Sequence, residues 1–115
     1  MAEIFDLNVT DSSNTGRFPE GQAPSTVNNG ARALEGMLAR GFRDTIMPTK
    51  TSGGSANAQT LTTNQTISAY AAGTSSFVFK AGYTNTGTCT MNVDSLGAKT
   101  IKNLDGTNLA AGAIT

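Results

Sequence analysis

Cys89 is the single thiol of a 115-residue chain that contains no histidine. That combination removes the commonest general base and the commonest metal ligand, and with them the usual Ser/His/Asp and Cys/His nucleophile arrangements. One cysteine cannot close an internal disulfide. Cys89 falls at an inward position of an alternating stretch beside Met91, where it reads as a small buried apolar residue. Gly53-Gly54 superficially suggests a phosphate loop. It lacks the Gly-Lys-Ser/Thr ending and the strand-to-helix setting such a loop needs. Asp94 and Asp105 could ligate calcium with help from carbonyls. Both fall in expected turns, where aspartate more commonly bonds to nearby backbone. Glu3, Asp6 and Asp11 read as solvated charges, and no carboxylate pair suits glycoside hydrolysis. These residues offer no catalytic, metal or cofactor site.

The arginines are more informative. Arg17, Arg32, Arg40 and Arg43 gather in the first half of the chain. Arg32 has Glu35 three residues away as a helical partner. Arg40 and Arg43 complement the C-terminal end of a helix dipole. Arg17 lies next to Phe18 in a proline-bearing loop, and an Arg beside an aromatic is a common interface anchor.

Four segments position these residues. Residues 1–24 read as an extended arm with isolated apolar anchors, among them Phe5, Leu7 and Phe18. Residues 25–48 hold a helix over 25–42 and its exit, with Ser25 or Thr26 as cap. Gly41 is a plausible stop and Pro48 a firm one. Val27, Ala31, Leu34, Leu38 and Phe42 make a narrow apolar stripe along this helix. Gly36, costly by up to roughly 1 kcal/mol, suggests close approach of another helix. Residues 49–59 are small, polar and glycine-bearing, as in a linker. Residues 60–115 form a small β-domain. There, Phe77, Phe79, Ala81 and Tyr83 alternate with polar or small residues, as do Cys89, Met91 and Val93. The two runs read as an antiparallel hairpin. Asp105-Gly106 marks a tight turn, and the last residues look like the start of a strand, which suggests further chain beyond Thr115. The expected class is α+β: an arm, one helix in a trimeric bundle, then a small antiparallel β-domain.

Composition supports association. Only 37% of residues are hydrophobic and 6% aromatic, so a lone core would be thin. Charged residues reach 14%, too few for the usual disordered chain. Oligomerisation is the common remedy for a small core. Net charge is zero, which argues against nucleic acid as a partner. No stretch has the length and apolarity of a membrane helix, and residues 1–6 lack the pattern of a signal peptide.

The run Arg17-Phe18-Pro19-Glu20-Gly21-Gln22-Ala23-Pro24-Ser25-Thr26-Val27-Asn28-Asn29-Gly30-Ala31-Arg32-Ala33-Leu34-Glu35 resembles a segment near the N-termini of bacteriophage tail-fibre proteins. There the segment leads into a helix ending in an Arg, an aromatic and an Asp, places filled here by Arg40, Phe42 and Asp44. Ser52 to Thr62, Phe79-Lys80-Ala81, Thr84 to Gly87, Asn92-Val93 and Leu96 to Lys99 are similar too. The resemblance runs over residues 17–115 and is most specific between Arg17 and Leu34. It implies a virion structural protein, assembled in the host cytoplasm, that fixes a fibre to the tail or baseplate as a homotrimer. Host adhesion would fall to distal parts of such a fibre. On this reading Phe5, Leu7, Arg17 and Phe18 dock on other tail or baseplate proteins. Val27, Ala31, Leu34, Leu38 and Phe42 hold the copies together. The alternatives are a head decoration or collar fibre protein, a small carbohydrate-binding module and, last, an enzyme such as a depolymerase.

Overall fold

The computed structural model describes residues 3–73 and 75–115, apart from the side chain of Phe5. The fold is α+β. Two 3-10 turns (Ile4–Asp6 and Asp11–Ser13) precede a third (Pro24–Thr26) that runs into the helix α1 (Val27–Thr45). Four short strands follow: β1 (Gly53–Ser55), β2 (Ala58–Leu61), β3 (Thr90–Val93) and β4 (Ala98–Thr100). The molecule is elongated, with extents of 57 × 24 × 21 Å.

α1 starts without a side-chain cap. The Thr26 hydroxyl donates to Ala23 O (2.7 Å) and is turned away from the first helical N–H groups. Pro24 supplies the fixed φ that opens the preceding 3-10 turn. At the far end, the N–H groups of Ile46 and Met47 both donate to Phe42 O, and Pro48 prevents a further turn. Gly41, expected as a stop, is instead a buried interior residue. A Cβ there would stand 2.7 Å from the Ile4 side chain, so its role is to admit the arm. Gly36 makes no such contact, since a Cβ there would meet only the guanidinium of Arg40.

The arm, expected to be extended, is folded back on α1. A Cβ on Gly30 would fall 2.5 Å from Arg17 O and 3.1 Å from the Phe18 ring, so the arm crosses the helix against bare backbone. Asn14 closes the loop before it. Its Oδ1 accepts from Asn8 N–H (2.7 Å) and its Nδ2 donates to Asn8 O (2.8 Å). The covered face of α1 therefore runs through Gly30, Leu34, Met37, Gly41 and Asp44. It is one residue, about 100°, away from the apolar stripe through Val27, Ala31, Leu38 and Phe42; Leu34, expected on that stripe, stands instead on the side that meets the arm.

The sheet has the order β1-β2-β3-β4 and is mixed, where an antiparallel one was expected. β1 and β2 pair antiparallel; β1 and the start of β2 come from residues read as a linker, and Thr60-Leu61 from the β-domain. β2 and β3 are parallel, with Leu61 opposite Val93. β3 and β4 form an antiparallel hairpin. Its turn holds Asp94 and Ser95 at φ 48° and 60°, and Leu96 N–H closes on Val93 O (3.0 Å). The expected pairing of residues 77–83 with 89–93 does not form. Lys80 bridges Thr51 instead: Ser52 N–H donates to Lys80 O (2.9 Å) and Lys80 N–H to Lys50 O (2.8 Å). This exchange places Leu61, Ile67 and Val93 in one small core, flanked by Tyr70, Phe77, Phe79, Met91 and Leu96. Gly82 is needed here, because its Cβ would overlap Ser52 O.

Candidate interaction site

Among the described residues, more polar than apolar side chains are buried, seven against five. They are hydrogen-bonded, as burial demands, and four of them, Glu3, Asp44, Thr63 and Gln65, meet at one joint. Six consecutive N–H groups, from Thr63 to Ser68, all donate to side-chain oxygens. Thr63 and Ile67 donate to the two carboxylate oxygens of Asp94 (2.8 and 2.9 Å). Asn64 and Gln65 donate to those of Asp44 (2.8 and 2.9 Å). Thr66 donates to Thr63 Oγ1 (2.9 Å), and Ser68 to Glu3 Oε1 (2.9 Å). Gln65 Oε1 in turn accepts from Ile4 N–H (2.7 Å). The Asp44 backbone also takes part, accepting from Val78 N–H (2.7 Å). One loop thus ties together the start of the arm, the last turn of α1 and the β3–β4 hairpin. Charge-assisted bonds of this kind are the strong ones. The joint orients α1 relative to the sheet.

A second clasp holds the sheet. The Ser52 hydroxyl donates to Gln59 Oε1 (2.6 Å) and accepts from Gly82 N–H (2.8 Å). A third fixes the chain's last residues. Asn85 Nδ2 donates to Gly87 O and Ala110 O, and its Oδ1 accepts from Ile114 N–H (2.9 Å).

Two features remain unused by the fold. The first is an open pocket of about 240 Å³ between arm and helix, lined by Leu7, Asn8, Asn14, Arg17, Phe18 and Leu34. It brings together three of the four arm residues expected to dock, with Leu34 as part of its wall. The side chain of the fourth, Phe5, lies outside the described residues. The second is the outer face of α1. Val27 and Phe42 are nearly half exposed, Ile46 and Met47 more so, and Ala31 and Leu38 are half-buried between them. Ile46 and Met47 are exposed in the exit just past the end of α1, next to Phe42. The spacing of four from Phe42 to Ile46 was available in the sequence, but a helix ending at Phe42 concealed it.

The groups considered for chemistry are occupied or inert. Cys89 is fully buried and contacts Ala56 O at 3.6 Å. Asp94 serves the joint. Asp105 accepts from the Thr107 hydroxyl and from Thr107 N–H, which together hold its carboxyl below the usual carboxylate range. Among the described residues no group of three His, Cys, Asp or Glu side chains is arranged to hold a metal ion. No described helix is long and apolar enough to cross a membrane. Comparison with known proteins finds no matching family model, no matching curated protein and no matching solved structure.

Proposed function

We propose that this chain is a structural, non-enzymatic virion protein: the N-terminal part of a bacteriophage tail fibre, anchoring the fibre to the tail or baseplate as a homotrimer. The observation that carries this reading is the uncovered apolar face of α1. Phe42, Ile46 and Met47 stand in solvent beside a fold whose own apolar core is small. Covering such half-exposed side chains is worth on the order of 1 kcal/mol each, and three copies of one helix cover one another symmetrically. The resemblance of the Arg17–Glu35 run to tail-fibre N-termini supplies the biological setting. In this reading Val27, Ala31, Leu38, Phe42, Ile46 and Met47 form the seam between copies. The pocket walled by Leu7, Arg17, Phe18 and Leu34 receives an anchor from an adjoining virion protein.

Gold-labelled antibody against the chain, applied to intact particles, tests the setting. Label at the tail or baseplate is the expected result. Label on the head or collar would move the chain to the decoration or collar-fibre class. A glycan array addresses the carbohydrate-module alternative, for which Tyr70 and Tyr83 are the only tyrosines. No binding is expected, because Tyr70 is engaged, its hydroxyl donating to Gly97 O (2.6 Å) and accepting from Val93 N–H (2.9 Å), which leaves Tyr83 as a lone exposed tyrosine and no aromatic platform.

A further inference from the structure

Leu104 is the most exposed large apolar residue of the described chain, projecting wholly into solvent. A single exposed leucine is ordinary. The turn that carries it is not, because it is braced from every side. Asn103 N–H donates to Thr107 O (2.8 Å) and Gly106 N–H to Asn103 O (2.9 Å), with Gly106 at φ 87°. Thr107 donates through both N–H and hydroxyl to Asp105 Oδ1 (2.9 and 2.6 Å). Asn103 Nδ2 reaches Thr107 Oγ1 (2.9 Å), and Lys102 Nζ reaches Asn108 Oδ1 (2.6 Å). A rigid turn loses little entropy on docking, the property of a good anchor. It presents an apolar tip with a carboxylate beside it.

The arm–helix pocket is the complement. Leu7, Phe18 and Leu34 give it an apolar lining, and Arg17 is its one charged lining residue. Its volume of about 240 Å³ is ample for a leucine side chain, since an apolar cavity of about 150 Å³ already takes a benzene-sized group. We propose that the Asn103–Thr107 turn of one copy docks in the arm–helix pocket of a second copy, with Leu104 filling the apolar lining and Asp105 Oδ2 pairing with Arg17. This contact makes a second copy of the chain, and not an adjoining virion protein, the occupant of the pocket, and it rests on the oligomer of the reading above. It is heterologous, turn to pocket, so it closes into a ring when repeated about a threefold axis. It adds a second seam, separate from the α1 stripe.

Sedimentation velocity over a concentration series, on the whole chain and its variants, tests the contact, with circular dichroism confirming that each variant is folded. Arg17→Glu and Asp105→Arg each set like charges together and are expected to weaken self-association at least about tenfold. Leu104→Ala should weaken it as well while leaving the turn's hydrogen bonds in place. The double variant Arg17→Glu/Asp105→Arg should recover association, and an equimolar mixture of the two single variants should recover it in part, since two chain types in a ring of three leave one contact in three repulsive. Recovery by mixing separate chains requires the pair to lie between copies. Single variants that associate like the parent chain overturn the proposal, as does a double variant no better than the singles. Phe42→Asp separates the two readings. If it dissolves the oligomer while the charge variants leave it intact, the helix seam stands and the turn–pocket contact falls.

Discussion

α1 buries Met37, Gly41 and Asp44 and leaves Val27 and Phe42 in solvent, with Ile46 exposed just past its end, whereas the β half seals Leu61, Ile67 and Val93 and exposes mostly polar side chains, Val78, Tyr83 and Leu104 apart. The β half closes its apolar core within one chain. The helical half spends its inner face on receiving the arm and the joint, and its outer apolar face has no cover in the monomer. The difference teaches that the fold consumes only one face of the helix and leaves the other for the proposed assembly. The inner face, with Asp44, belongs to the fold. In the proposed reading the outer face, with Phe42 and the adjoining Ile46, belongs to the oligomer.

Substitutions that separate the two faces break or sharpen this comparison. Asp44→Ala should have the largest effect. It strips partners from the N–H groups of Asn64 and Gln65 and from Asn64 Nδ2. At about 1–3 kcal/mol for each unsatisfied buried group, the loss approaches the whole stability of a small domain. Urea denaturation followed by circular dichroism is expected to lose its cooperative transition. Next comes Leu61→Ala, which opens a void beside Ile67 and Val93. A cost of about 2–4 kcal/mol should appear as a lower urea midpoint at unchanged slope. Gly30→Ala is intermediate. Its methyl group collides with Arg17 O, while alanine regains up to roughly 1 kcal/mol of helix propensity. The expected outcome is a released arm on an intact helix, seen as faster tryptic cleavage after Arg17 with unchanged helical signal. Phe42→Asp should have the smallest effect on folding, within about 0.5 kcal/mol as for other exposed positions, while removing the oligomer. A large destabilisation by Phe42→Asp would erase the distinction between the faces.

The helix was legible in the sequence because Val27 to Thr45 carries a local 3.6-residue pattern with Pro on either side. The Asp94–Ser95 turn and the burial of Cys89 were legible for the same reason, each being written in adjacent residues. The parallel pairing of β2 with β3 was not. It joins Leu61 to Val93 across thirty-two positions, and the Thr- and Asn-rich strands differ little from other short alternating runs. The folded arm was hidden because it depends on absent atoms, the missing side chains of Gly30 and Gly41, and on the Asn8–Asn14 closure. The polar joint was hidden because Glu3, Asp44 and Asp94 lie far apart in sequence, and each alone reads as an ordinary surface charge. Arg17 and Phe18 were singled out as neighbours in a proline-bearing loop and Leu7 as an apolar anchor of the arm; in the structure all three line one pocket. Leu104 carried no signal, since a leucine in a polar turn declares its exposure only once the turn's bonding is known.

The central claim is that the outer face of α1 joins copies of this chain. Light scattering after size exclusion measures it most directly, as the solution mass of the purified protein. A mass three times the 11.8 kDa of one chain, falling to one chain's mass in Phe42→Asp, is the predicted result. A folded protein that stays at the mass of a single chain would contradict the account.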